Sequence, residues 1–124
     1  MLPPELNLEV RSRLPARRNG KPPLLFVHGG YCDAWCWEPF FLPWFAARGY
    51  AAHALSLRGH GESGGVRYSF GPLERRDVLA AIAYARGRGI PAGRIGLLCH
   101  SMGAAICLLT TPETSDVSAV VADS

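Results

Sequence analysis

The sequence predicts an α/β protein of three layers, with a mostly parallel sheet between flanking helices. Three observations predict it. Short apolar runs such as LLFV at 24–27 and RIGLLC at 94–99 have the length of strands buried on both faces. Between such runs lie segments of helical periodicity, LERRDVLAAIAYARG at 73–87 being the clearest. The alternation of the two implies βαβ units and right-handed crossovers, hence parallel strands.

Each element can be justified in turn. ELNLEV, 5–10, alternates polar and apolar residues, as a half-exposed strand does. The polar stretch RSRLPARRNGKPP that follows reads as a long turn. LLFV is a buried strand ending at HGG. Residues 36–48, CWEPFFLPWFAAR, place Phe40, Phe41, Trp44 and Phe45 at helical spacing, with Gly49 as a stop. YAAHALSL, 50–57, is a second buried strand, ending at the glycine-rich loop RGHGESGG, 58–65. Pro72 and Gly87 bracket the helix of 73–87. RIGLLC is the third buried strand, SMGAAICLLT opens a helix, and VSAVVADS, 117–124, is a fourth core strand.

Length and composition bound the function. A chain of 124 residues is one domain by length and long enough for a single core. The net charge of +3 is small and its arginines are scattered, so no basic block argues for nucleic acid. The N-terminus has neither a basic n-region nor an apolar h-region, and no apolar run spans a bilayer. Cys32, Cys36, Cys99 and Cys107 lack zinc-ligand spacing and read as reduced thiols in a cytoplasmic protein. Asp77 and its arginine neighbours read as a solvated helix face.

The segment with the most chemistry is CHSMG, 99–103. A serine hydroxyl is a weak nucleophile that needs a base, and donors for the oxyanion formed on attack. A tight strand-to-helix turn presents the hydroxyl clear of the sheet and aims the new helix's N-terminus at the developing charge. Such a turn needs small residues two before and two after the serine. Gly103 meets that demand; Cys99 stands where glycine is usual, and is still small.

At this point the sequence resembles the α/β-hydrolase superfamily, in particular bacterial esterases, lysophospholipases and serine-aminopeptidase-like members. Three motifs carry the resemblance in the family's order: LLFVHGG at 24–30, LSLRGHGESGG at 55–65 and LLCHSMGAA at 97–105. It extends from about Leu24 to the last residue. It implies a single partial hydrolase domain over 1–124, with an oxyanion loop at 28–31, the glycine-rich loop at 58–65 and a nucleophile elbow at 99–103. By position, Ser101 matches the nucleophile, and the backbone N–H groups of Gly30 and Met102 match the oxyanion donors. His28 is expected to orient the loop. The implied reaction is hydrolysis of a small-molecule ester or amide through an acyl-enzyme, with no metal or organic cofactor.

The family's triad order is serine, acid, histidine. After Ser101 come Glu113, Asp116 and Asp123, but no histidine. Asp123, at a strand end, is the candidate acid. His28, His53, His60 and His100 all precede the serine. His53 reads as a packed strand residue, and His100 should diverge from its neighbour Ser101. His28 and His60 lie at strand ends, where either could approach the serine. The resemblance therefore implies the N-terminal half of a hydrolase. Strand 117–123 would then be an open apolar edge, available for self-association or for a complementing C-terminal half.

Two other readings stand beside this one. The first is a hydrolase-like binding fragment without turnover. The second is dinucleotide binding at Gly59–Gly64, which formally fits G-x-G-x-x-G. That fingerprint needs a helix opening at the glycines, whereas VRYSFGP intervenes here. In the aromatic cluster of 31–45, Tyr31 and Trp35 are the best pocket candidates and the rest read as core.

Overall fold

The structure is a computed structural model that describes residues 7–17, 20–30, 32–61, 63–64, 73–86 and 94–123. Among the described residues, five strands and three helices make a mixed sheet with helices on both faces: β1 (Val10–Arg13), β2 (Leu24–Val27), α1 (Phe41–Ala47), β3 (Ala52–Leu55), α2 (Glu74–Arg86), β4 (Ile95–His100), α3 (Met102–Thr110) and β5 (Val117–Asp123). Short 3-10 turns at Ala34–Cys36 and Thr111–Glu113 precede α1 and follow α3. The strand order is β1-β3-β2-β4-β5, with only the β1–β3 pair antiparallel. The expected α/β class holds.

Period-two alternation explains why LLFV is apolar throughout. Leu25 and Val27 face one core and Leu24 and Phe26 the other, so all four are buried. The first core packs α2 and α3 on the sheet through Val78, Ala81, Ile82, Ala104 and Ile106. The second packs α1 and the preceding turn around Phe26, whose ring lies 5.1 Å from Trp37 and 5.5 Å from Phe45. The sheet is thus the middle of three layers.

Crossovers change sides at β2. The chain passes from β2 to β3 in one direction, then returns past β2 to β4. The loops leaving β2 and β4 therefore leave neighbouring strands at the same end of the sheet, the place where open α/β sheets bind ligands.

Several local expectations shift. Among the described residues the first strand is Val10–Arg13, so Arg11–Arg13, expected in the turn, extend it, paired from Val10 with Leu55 to Arg13 with Ala52; residues 5–6 of the expected strand lie outside the described residues. The helix expected over 36–48 divides into a turn capped by the Asp33 carboxylate, which accepts from Trp35 N–H, and the shorter α1. Asp77 is no solvated residue: it is buried against Arg58. The four cysteines are not reduced thiols; Cys32 pairs with Cys36, and Cys99 with Cys107. The second pair forms because α3 packs directly over the strand that precedes it, bringing the two Cα atoms to 6.6 Å. Tyr31, and the expected turn and helix boundaries at 62, 65–72 and 87–93, lie outside the described residues.

Candidate functional site

Ser101 occupies the turn between β4 and α3 at φ 53° and ψ −117°, the single non-glycine residue with positive φ among those described. Such a conformation costs roughly 1–3 kcal/mol and persists only where neighbours hold it. Here they are visible. Ser101 N–H donates to the Asp123 carbonyl at 2.6 Å, and the Ser101 carbonyl accepts from Ala104 N–H at 3.0 Å. Gly103 lets α3 sit on the end of β2: a Cβ there would lie 2.5 Å from the His28 carbonyl oxygen and 2.6 Å from that of Val27. Cys99, at the other small position, is buried and tied to Cys107. The Ser101 side chain does not cap α3, and its hydroxyl has no hydrogen bond among the described residues.

The loop leaving β2 lies against this turn. A Cβ on Gly29 would sit 3.2 Å from Ser101 Cβ, tighter than most real contacts, so glycine sets the approach. A Cβ on Gly30 would meet Met102 Sδ at 3.7 Å. Gly30 and Met102 therefore border the same space, and their N–H groups have no acceptor among the described residues. Trp35, a pocket candidate, is 56% exposed just beyond this loop and carries Arg11 over its ring at 5.1 Å.

The glycine-rich loop is braced from two sides. Arg58 forms a two-pronged pair with buried Asp77 of α2, with Nη2 to Oδ1 at 2.7 Å, and its backbone N–H donates to Oδ2 at 2.9 Å. The hydrogen bond to Asp77 raises the Arg58 pKa further above its ordinary value. On the other side, Ser56 Oγ donates to Glu9 Oε1 at 2.7 Å and accepts from Ala34 N–H at 3.0 Å. Gly61, at φ 52°, packs onto Glu9 and Ser56. Among the described residues no helix opens at these glycines: α2 begins at Glu74, and its Asp77 binds arginine.

Three of the four histidines are committed elsewhere. His28 is buried; its Nε2 accepts from Leu57 N–H at 3.0 Å, so its proton sits on Nδ1, which donates to the Gly29 carbonyl at 2.6 Å. Burial, with neighbouring His60 adding to it, holds this imidazole below the usual histidine pKa. The ring therefore orients the loop, as expected. His60 places its nitrogens against the carbonyls of Arg58 and Gly30, at 3.0 and 3.3 Å. His53 pairs with Ser12 Oγ at 2.7 Å, on β1. His100 is different: its Nδ1 lies 2.9 Å from Asp123 Oδ2, and both side chains are exposed. His100 Cδ2 lies 3.4 Å from where a Cβ on Gly29 would stand. Glu113 pairs with Arg75.

Comparison with known proteins now decides the family. The alpha/beta hydrolase family profile matches residues 24–124. The chain belongs to the α/β-hydrolase family. Among solved structures, Est1E from Butyrivibrio proteoclasticus, determined with ferulic acid bound, aligns at TM-score 0.77 and 20% identity. That alignment covers 96% of this chain and 49% of Est1E. The esterase Pf2001 of Pyrococcus furiosus aligns at TM-score 0.71 and 23% identity, covering 96% and 51% of the two chains. The epoxide hydrolase VrEH1 of Vigna radiata aligns at 0.74 and 22%, covering 93% and 34%. This α/β-hydrolase chain thus spans about half the length of these structures or less. At such identities the likeness shows the fold, which an esterase and an epoxide hydrolase share. No curated protein matches the chain.

The α/β-hydrolase site therefore rests on its own residues. No group of three histidine, cysteine or acidic residues suited to a metal occurs among those described. No described helix is long and apolar enough to cross a membrane. An open groove of about 580 Å³ between Arg13–Arg17 and the end of α1 lies at the opposite end of the sheet from Ser101. Sequence reasoning missed Glu9, Ser56, Ser63 and the Arg58–Asp77 pair, because those contacts join residues far apart in the chain. Asp33, an aspartate just before a helical turn, carried a readable capping signal.

Proposed function

We propose that this chain carries the nucleophile and oxyanion-binding portion of a serine hydrolase, acting on a carboxylic ester or an amide. The observation that carries the reading is the Ser101 backbone at φ 53°, held on a strand-to-helix turn with an exposed, uncommitted hydroxyl. Ser101 Oγ attacks the substrate carbonyl, and Gly30 and Met102 N–H receive the oxyanion. The N-terminus of α3 faces the same charge. No cofactor enters this chemistry. The shared fold admits both an esterase and an epoxide hydrolase, so the residue at the turn, a serine, is what favours acyl chemistry.

A fluorophosphonate probe tests this. The folded chain should label at one site, and Ser101→Ala should abolish labelling. Labelling that persists in Ser101→Ala would place the nucleophile elsewhere. A second reading, a hydrolase-shaped binding module without turnover, draws support from one observation: no histidine hydrogen-bonds Ser101 among the described residues. Complete absence of labelling in the wild-type chain would favour it.

A further inference from the structure

We propose that His60, as an imidazolium, latches the glycine-rich loop to Gly30, so that protonation of this one ring aims the oxyanion-binding backbone. His60 is then a positioning residue. Its role rests on the proposed use of Gly30 N–H as an oxyanion donor.

Two acceptors decide the charge. His60 Nδ1 lies 3.0 Å from the Arg58 carbonyl, and Nε2 lies 3.3 Å from the Gly30 carbonyl. A carbonyl oxygen only accepts, so both ring nitrogens donate. Neutral imidazole has one N–H; the imidazolium has two. The ring is half-buried, within reach of solvent protons. Its backbone is held on both sides: His60 N–H donates to the Leu57 carbonyl, and the His60 carbonyl accepts from Ser63 N–H, each at 3.0 Å.

At the far end of the latch, Gly30 sits between two pinned peptides. The Gly29 carbonyl and Gly30 N–H belong to one trans peptide, so they point in opposite directions. His28 Nδ1–H donates to that carbonyl at 2.6 Å, and Cys32 N–H at 3.3 Å. His60 takes the carbonyl of the next peptide. Glycine has wide conformational freedom, so contacts on both flanking peptides are what fix the direction of its N–H. The two rings lie 4.8 Å apart in different states. His28 is neutral, since its Nε2 accepts from Leu57 N–H. His60 needs its second proton.

The charged groups around His60 come from several elements. Glu9, before β1, and Asp33, before α1, approach Gly61: Glu9 Oε1 and Asp33 Cβ lie 2.6 and 3.2 Å from the Cβ that Gly61 lacks. Arg58 turns its guanidinium to Asp77 of α2. Glu62 lies outside the described residues. When His60 loses a proton, one of its two carbonyls loses its donor. The Arg58 contact is shorter and only two residues away, so the contact to Gly30, between loops, is the one released.

NMR of the full, uniformly 15N-labelled chain tests the latch across about pH 5–8, where histidine changes charge. At the acid end both His60 ring nitrogens should carry protons. The Gly30 amide resonance should shift with the His60 ring as it titrates. In His60→Gln, whose amide does not titrate here, that shift should vanish. The second readout is fluorophosphonate labelling of Ser101. The ratio of wild-type to His60→Gln rates should fall about tenfold from the acid to the alkaline end, less than the loss of an oxyanion donor outright. Titration of a base serving the serine cancels in this ratio. A His60 ring with one proton throughout refutes the latch without recourse to any variant. A Gly30 resonance that titrates equally in His60→Gln refutes it too, whatever the labelling. A constant rate ratio beside a titrating Gly30 refutes the positioning role. If Ser101→Ala still labels, or wild type never labels, the nucleophile reading falls, and with it the part of the latch in catalysis.

Discussion

At the scale of single residues, the backbone around Ser101 depends on atoms that are missing from its neighbours. Gly103 has two main-chain carbonyls where a Cβ would go, at 2.5 and 2.6 Å, and neither can swing aside as a side chain would. Gly103→Ala should therefore destabilise the fold by about 1–3 kcal/mol, as overpacking does. Gly30→Ala meets only the flexible Met102 Sδ at 3.7 Å and should leave the denaturation midpoint nearly unchanged. Equal midpoints for the two variants would contradict the packing described. His28 gives a pH dependence of definite sign. The unfolded chain takes up a proton on this ring near pH 6.5, and the folded chain only at lower pH, because burial excludes the charge. The His28 contribution is thus flat above that pH. It declines as pH falls from 6.5 through the lower folded-state value, since the unfolded form then binds more protons. Denaturant melts between pH 8 and pH 5 should show the decline, and His28→Gln should remove part of it. An undiminished slope in that variant would assign the effect to another group.

At the scale of elements, the glycine-rich loop is joined to α2 by one ion pair. Asp77 is 1% exposed and takes both the Arg58 guanidinium and the Arg58 backbone N–H. Asp77→Ala strands a nearly buried cation and an N–H together, and should cost about 3–5 kcal/mol in a chemical melt. A loss below about 1 kcal/mol, the range of exposed pairs, would mean water replaces the carboxylate. This pair also shows where sequence reading stops. The strands β2, β3 and β4 and the helix α2 were legible because their signals are local: continuous apolar runs, and apolar residues on one helical face. Asp77 looked solvated because its neighbours are arginines; its actual partner lies 19 positions earlier, on another loop. The same holds for Cys99 and Cys107, which meet only once α3 folds back on β4. Of the candidate site, CHSMG and HGG were readable as motifs. The pairing of His100 with Asp123 was not, since it needs the register of two strands separated by a helix.

At the scale of the molecule, the sheet is covered unevenly. Its centre, β2, is buried on every residue, whereas β5 carries an apolar sequence with half-buried or exposed side chains throughout. Among the described residues β5 pairs on one side with β4 and on the other with no strand. Val121 is 59% exposed, and Leu108 of α3 and Trp44 of α1 are exposed on the two outer layers. Unpaired apolar edges recruit further strands, and charges placed on them discourage it. The edge can be met by a second copy or by a complementing segment of hydrolase fold, and both use the same backbone groups. We expect the isolated chain to associate in sedimentation experiments at high micromolar concentration, and Val121→Lys to shift it toward monomer without changing its circular dichroism. Val121 pairs in register with Leu98 and sits two residues from Asp123. Strand addition at β5 would therefore bear on the turn that holds Ser101, so the Lys variant should also be compared for labelling rate. If association and labelling fall together, the covered edge supports the site. If the chain is monomeric from the start, the exposed edge is tolerated, and the two properties are separate.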